Sequence, residues 1–429
     1  MDIIAALTSS TLPDIGKPMG NTDSKLARQN KTSGVDQFRR VIWSFAIAET
    51  IIWAAFYYSF PALLPEWERS FGWTKADLSL AFTSGLIVCA LLAPTVGKLI
   101  DRGYSLLVYF GSTILGIASL LLLSTVHDYW QFYTVWLCIG TAMSGSLYEP
   151  CFAIITRITG KDSKWAITRI TLLAGLAGTV SFPSAHALTE LFGWRTALQV
   201  FAAAVAAISL PLIWFGCKHA SKQLAAVNPI SRGRKSPTRS TLISPLFWLL
   251  AIAFTAINIT HGMLLTHLLP ILDDRGVTAS TAVLVAAMIG PMQVTGRIAM
   301  MGAERRISTY GIAISCFLIM ICAGSLLLFS NGALALIFTF VILYGAAYGV
   351  TTIVRPVITA DVFGRESFGA ISGMLALPFM FGTALSPTIA ALIWSAGGYD
   401  MVIMTALGVA LFGLIALLAV RFAPKHSQP

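Results

Sequence analysis

The stretch Leu106–Val126 reads LLVYFGSTILGIASLLLLSTV, and Ser308–Phe329 reads STYGIAISCFLIMICAGSLLLF. Neither contains a charged residue. About 20 apolar residues rising 1.5 Å each cross the hydrocarbon of a bilayer, so each run predicts a membrane-spanning helix. Working outward, apolar runs separated by turn and charge signals predict twelve spans. They fall near 41–64, 77–99, 104–126, 130–156, 166–190, 195–217, 243–271, 279–301, 308–330, 332–358, 367–396 and 399–421. The 429-residue chain carries 56% hydrophobic and 11% charged residues, against about 25% charged in ordinary soluble domains. That composition excludes a water-soluble globule and predicts an all-α polytopic membrane protein.

Between the sixth and seventh spans lies Lys218–Ser240, which holds Lys218, Lys222, Arg232, Arg234, Lys235, Arg239 and two prolines. Such a segment is a solvated linker. The predicted organisation is a cytoplasmic tail over 1–40, a six-helix bundle over 41–217, a linker over 218–242, a second bundle over 243–422 and a tail over 423–429. No basic region precedes the few apolar residues at the start, so a cleavable signal peptide is not expected. The net charge is +10. Its basic residues sit in short loops between apolar runs, which argues for membrane orientation and against nucleic-acid binding. Of the 29 Lys and Arg, Arg69, Lys75, Arg195 and Arg275 fall on one side, Arg297 and Arg355 are embedded, and the rest fall on the other side. The positive-inside bias then places both termini in the cytoplasm of a cell (inner) membrane protein. The six cysteines form no CxxC pair, so neither structural disulfides nor zinc are expected.

The halves repeat. Gly178-Thr179, Pro183 and Gly193 recur as Gly382-Thr383, Pro387 and Gly397 at an offset of 204. Gly72-Trp73-Thr74 recurs as Gly276-Val277-Thr278 at the same offset, and Glu149-Pro150 corresponds to Arg355-Pro356 at 206. Several matches in chain order at nearly one offset indicate a six-helix duplication. Paired repeats of this kind build secondary transporters that bind near the midplane.

Gly97–Gly103 reads GKLIDRG. With twelve spans and a basic central linker, it resembles the major facilitator superfamily, whose loop signature G-x-x-x-D-R-x-G is matched at Gly97, Asp101 and Arg102. The last glycine is displaced to Gly103. An aspartate there can cap a helix start, and an arginine can bridge to the next helix. A narrower resemblance is to the monocarboxylate porter group and its bacterial relatives. YYSFPALLPEW (Tyr57–Trp67) is similar to the end of their first helix and its external loop. QVTGR (Gln293–Arg297) is similar to their eighth-helix D-x-x-x-R, whose arginine binds substrate carboxylate and whose aspartate carries the proton. Arg297 matches that arginine, and Gln293 stands where the aspartate would be.

Embedded ionisable residues are costly and mark function. Glu49, Glu149, Arg297 and Arg355 lie in the first, fourth, eighth and tenth spans. The superfamily resemblance places these four helices around a central cavity. Counted from the nearest charge at the cytoplasmic ends, all four lie roughly 9–14 Å inside, nearly in one layer. Arg297 is the expected substrate contact, because a guanidinium offers a planar fork to a carboxylate; the competing reading is snorkelling to headgroups. For Arg355, anion binding and pairing with an acid across the repeat both stand. Glu49 and Glu149 are proton-carrier candidates, since a carboxylate sealed in an apolar span holds a proton until water or an arginine arrives. For Glu149 a structural ion pair near the Pro150 break is the alternative. Tyr57 and Tyr58 are candidates to put hydroxyls into the cavity. His261 and His267, six residues apart on one helix, lie on different faces and cannot share a metal. His261 is a further substrate candidate, while His267 and His186 read as interfacial hydrogen-bonders.

The expected function is therefore secondary active transport by alternating access, without cofactor or enzymatic chemistry, by a monomer in the lipid bilayer. The expected cargo is a small organic anion such as a monocarboxylate, taken up with protons. The alternative is export of amphipathic compounds by proton antiport, suggested by the 11% aromatic content.

Overall fold

In lipid an apolar run has no water to bond its backbone, so helices that satisfy their own N–H and C=O groups are what these runs form. The structure, a computed structural model, describes residues 39–148, 151–152, 154–155, 163–226, 244–363 and 368–422. Among them there are helices and turns but no strand. The spans are α1 (Arg39–Phe71), α2 (Lys75–Asp101), α3 (Ser105–Leu123), α4 (Tyr129–Ser146), α5 (Ala166–Phe192) and α6 (Trp194–His219). The second set is α7 (Pro245–Thr266), α8 (Ala279–Ala303), α9 (Thr309–Leu328) and α10 (Leu334–Phe363). The last helix, Phe368–Phe422, breaks at Gly397 and Gly398, giving α11 (368–396) and α12 (399–422).

Helix ends depart from the sequence reading in two instructive places. α1 continues past residue 64 to Phe71. It does so after a π-helical turn at Trp53–Tyr57, where the Tyr58 N–H donates to the Trp53 carbonyl at 3.0 Å. Pro61 then falls in the first turn of Ser59–Phe71, where a missing N–H costs no helical bond. α6 continues as helix to Ala226, into the stretch read as linker.

The repeat is visible in the turns. Gly72 ends α1 at φ +67°, and Thr74 starts α2 with a capping box to Asp77. Its counterpart Gly276 has φ +73°, with Thr278 at the N-cap position of α8 but no side-chain capping bond. Gly193 has φ +84°, but its counterpart Gly397 lies at φ −160° and the positive φ passes to Gly398 at +73°. The duplication has slipped there by one residue.

These turns gather at one end, called here the distal end. Trp194 Nε1 donates to Ser70 Oγ at 3.1 Å, Arg195 donates to the Val126 carbonyl at 3.0 Å, and Arg275 pairs with Asp400. The opposite end, from which the linker leaves, is the linker end.

Within the first half, the distal core is aromatic. Phe60 stacks on Phe82 at 4.2 Å, and Trp136 meets both edge-on. Trp67 is fully buried beside them. Much of the aromatic content that suggested an amphipathic cargo is thus spent on packing. α2 and α4 cross so closely that a Cβ on Gly140 would overlap the backbone of Gly85. Small residues at such crossings let helices associate where lipid gives no hydrophobic drive.

Candidate functional site

Two seams join the halves, both carried by named side chains. Between α2 and α11, Thr83 Oγ1 and Thr388 Oγ1 are 2.8 Å apart. Between α5 and α8, Thr179 Oγ1 donates to the Ala287 carbonyl at 2.7 Å. Gly290 allows the close approach: a Cβ there would stand 2.7 Å from the Gly175 carbonyl. At the distal rim Lys75 Nζ lies 2.6 Å from Glu68 Oε1 and 4.0 Å from the centre of the Trp394 ring. A vestibule of about 400 Å³ opens around these groups, lined also by His186, Asp273 and Asp274.

Deeper along α8 lies Arg297, only 7% exposed. Its Nε donates to the Gly349 carbonyl at 3.0 Å, Nη1 to the Thr171 carbonyl at 3.0 Å, and Nη2 to Thr352 Oγ1 at 3.4 Å. The first and third partners belong to α10, the second to α5 of the other half. Snorkelling is not what this side chain does. Every one of these acceptors is neutral, and among the described residues Arg297 has no carboxylate partner. Three phenols face it within electrostatic reach: Tyr148, Tyr348 and Tyr58. Gln293, one turn earlier, is buried with its backbone against Gly349.

Arg355 lies two turns beyond Tyr348 on α10, and its guanidinium covers the Phe379 ring of α11 at 4.1 Å. It too is within electrostatic reach of Tyr348. Tyr57 ends the π turn of α1 and Tyr58 follows it. Tyr58 rests on Gly178 of α5, where a Cβ would come within 3.2 Å of its ring. Trp53, Tyr57, Tyr58 and Tyr148 form a continuous ring surface, with centroids 5.3 Å apart for Trp53–Tyr57 and Tyr57–Tyr58 and 4.7 Å for Trp53–Tyr148.

The facing wall of the second half is differently built. His261 stacks on Tyr348 at 3.3 Å and shares a 2.7 Å hydrogen bond between Nδ1 and Tyr344 Oη. Tyr348 donates to Asn258 Oδ1 at 3.0 Å, and Asn258 donates to Thr383 Oγ1. His261 is therefore a structural member of the wall, with Tyr348 between it and the cleft. His267 differs from its expected place at an interface: it is fully buried, and its Nε2 lies 3.1 Å from the Pro387 carbonyl.

Glu49 is fully buried, and Tyr109 of α3 donates to its Oε1 at 2.5 Å. Cys151 and Cys217 neighbour the same pair. That hydrogen bond to the carboxylate lies inside the first half. Glu149 lies outside the described residues, as does the side chain of Asp101. A Cβ on Gly97 would meet nothing within 4 Å, and the side chain of Arg102, exposed at the end of α2, makes no hydrogen bond or ion pair among the described residues. The cap position at the start of α3 is Tyr104, without a side-chain bond. Tyr148, Tyr348, Asn258 and Tyr109 escaped the sequence reading. The spacing of Tyr348 seven residues before Arg355 was a usable signal for one of them; the others depend on helix pairing.

Among the described residues, helices long and apolar enough to cross a membrane pack around a polar cleft, as in a polytopic membrane transporter. The chain belongs to the Major Facilitator Superfamily, whose family profile matches residues 45–323. No curated protein sequence matches it. A bacterial homolog of the human lysosomal transporter Spinster, solved inward-facing and occupied, is similar over 89% of this chain and 95% of its own, at 15% identity and a TM-score of 0.66. The nucleoside transporter NupG is similar over 90% of this chain and all of its own, with 15% identity and a TM-score of 0.67. At such identity the likeness is one of fold.

Proposed function

We propose that this transporter carries a small organic anion, a monocarboxylate or related carboxylate, together with protons by symport. One observation carries the reading: Arg297 is a buried cation held at the seam of the two halves by neutral oxygens alone. A guanidinium has five N–H donors, so the three hydrogen bonds leave two for a carboxylate. An anion arriving there would bridge the halves and lower the cost of burying the charge. Arg355 supplies a second positive group, and Tyr57, Tyr58 and Gln293 line the same cleft. Glu49, with Glu149 in reserve, carries the proton. The halves 41–217 and 243–422 rock about this site, and Gly97, Asp101 and Arg102 act at the linker end when it closes. The working unit is a monomer in the cell membrane with both termini in the cytoplasm.

The test is flux in proteoliposomes holding the purified protein. Radiolabelled lactate or benzoate should accumulate inside the vesicles, beyond protein-free liposomes, when their lumen is more alkaline than the medium, and protonophore should abolish the accumulation. Transport of neutral or cationic compounds alone would refute the reading and favour export of amphipathic molecules.

A further inference from the structure

Resting on the anion reading above, we infer that the substrate is an aromatic carboxylate, with its carboxylate on the second half and its ring on the first. The two walls of the cleft are chemically unequal. On the second half, the polar groups of His261, Tyr344, Tyr348, Asn258 and Thr383 are committed to one another. What that half offers is positive charge, from Arg297, whose acceptors among the described residues are all neutral. On the first half the wall is rings. Trp53 and Tyr148 lie 4.7 Å apart, and Tyr57 continues the surface from Trp53 at 5.3 Å. No protein hydrogen bond among the described residues engages the hydroxyls of Tyr57, Tyr58 or Tyr148.

The depths agree. Tyr58 lies 13 residues from the distal end of α1, and Arg297 lies 18 residues from the distal end of α8. At 1.5 Å per residue the guanidinium sits about 7 Å closer to the linker end than the Tyr58 level. One aromatic ring bearing one carboxylate spans about that length, so its ring lies among the phenols while its head reaches the arginine. A lactate-sized anion would satisfy the arginine and leave the ring wall untouched. A flat π-face meets Trp and Tyr rings in stacked or edge-on geometry that a saturated ring cannot copy. Binding by both halves at once would also favour the state in which they are joined.

Three ligands of nearly one size separate the possibilities: benzoate, cyclohexanecarboxylate and the neutral benzamide, measured by equilibrium binding to the full chain in nanodiscs at neutral pH. The expected result is benzoate about tenfold tighter than cyclohexanecarboxylate, with benzamide at least as weak as the latter. Tyr148→Phe should keep the benzoate preference, and Tyr148→Leu should reduce it to about twofold or less. Equal affinities for benzoate and cyclohexanecarboxylate in the unsubstituted protein overturn the aromatic assignment and leave the anion reading standing. So does binding of lactate with no binding of benzoate. Benzamide binding as tightly as benzoate, or no carboxylate binding at all, overturns the anion reading itself. Because the ligand comparison uses the unsubstituted protein, a poorly folded variant does not protect the inference.

Discussion

The guanidinium of Arg297 on α8 donates to the main-chain oxygen of Thr171 on α5, 3.0 Å away in the opposite half. The residue that is the best candidate to hold substrate is therefore also a tie between the two moving parts. Substrate and tie draw on one side chain, which gives a physical route from binding to conformational change.

Arg297→Lys and Arg297→Ala should each lower carboxylate affinity by at least about tenfold, with expression near normal. Lysine keeps the charge but loses the planar fork and cannot hold Gly349, Thr171 and Thr352 together. Binding titrations with benzoate check this, and unchanged affinity in the alanine variant would remove Arg297 from the site.

Glu49→Gln should permit exchange of labelled substrate across proteoliposomes but end accumulation driven by a pH gradient. The amide mimics the protonated acid permanently and keeps a hydrogen-bond acceptor for Tyr109. Tyr109→Phe, which leaves the carboxyl without that donor, should shift the pH at which accumulation is half-maximal while preserving exchange. If Glu49→Gln still concentrates substrate, the proton travels elsewhere, and Glu149→Gln is the next variant.

Lys75→Met should open the distal end more often. The ammonium links Glu68 in the first half to the Trp394 ring in the second, and a desolvated cation–π contact contributes about 2 kcal/mol. A cysteine placed at Thr83, under that rim and opposite Thr388, should then react several-fold faster with an impermeant thiol reagent added from the distal side. Identical labelling rates would show that Lys75 does not hold the seam.

Gly290→Val and Gly140→Val should separate switching from folding. Gly140 meets Gly85 inside the first half, so a larger side chain there should destabilise the protein by about 2 kcal/mol or more, read as a lower Tm. Gly290 meets Gly175 and Thr179 across the seam. Valine there should wedge α5 from α8, leaving Tm little changed while slowing transport and raising distal labelling of the Thr83→Cys probe. Equal loss of stability in both variants would argue that the seam is as permanent as the core.

The linker should be cut by protease in inside-out vesicles and spared in intact cells, because its lysines and arginines define the cytoplasmic side under the positive-inside bias. Cutting from outside would reverse the topology.

How far the sequence reaches is clear from particular residues. Gly72 and Gly276 announce matching turns, and both carry positive φ; the duplication can be read because only glycine enters that conformation cheaply. Gly397 shows the limit. Its offset marks it as the partner of Gly193, yet the turn is made by Gly398, since sequence alignment cannot see which of two adjacent glycines absorbs the bend.

The all-helical, membrane-spanning class was determined by the sequence alone. A bilayer makes it a one-dimensional question of run length, apolarity and backbone satisfaction. Only the tertiary structure decided that Glu49 takes its hydrogen bond from Tyr109 in α3, that Arg297 holds carbonyls of both halves, and that Tyr148 faces it. The reason is rotational. Helices apolar on nearly every side carry no sequence-visible polar face, so the direction each buried group points is set by packing between helices distant in the chain.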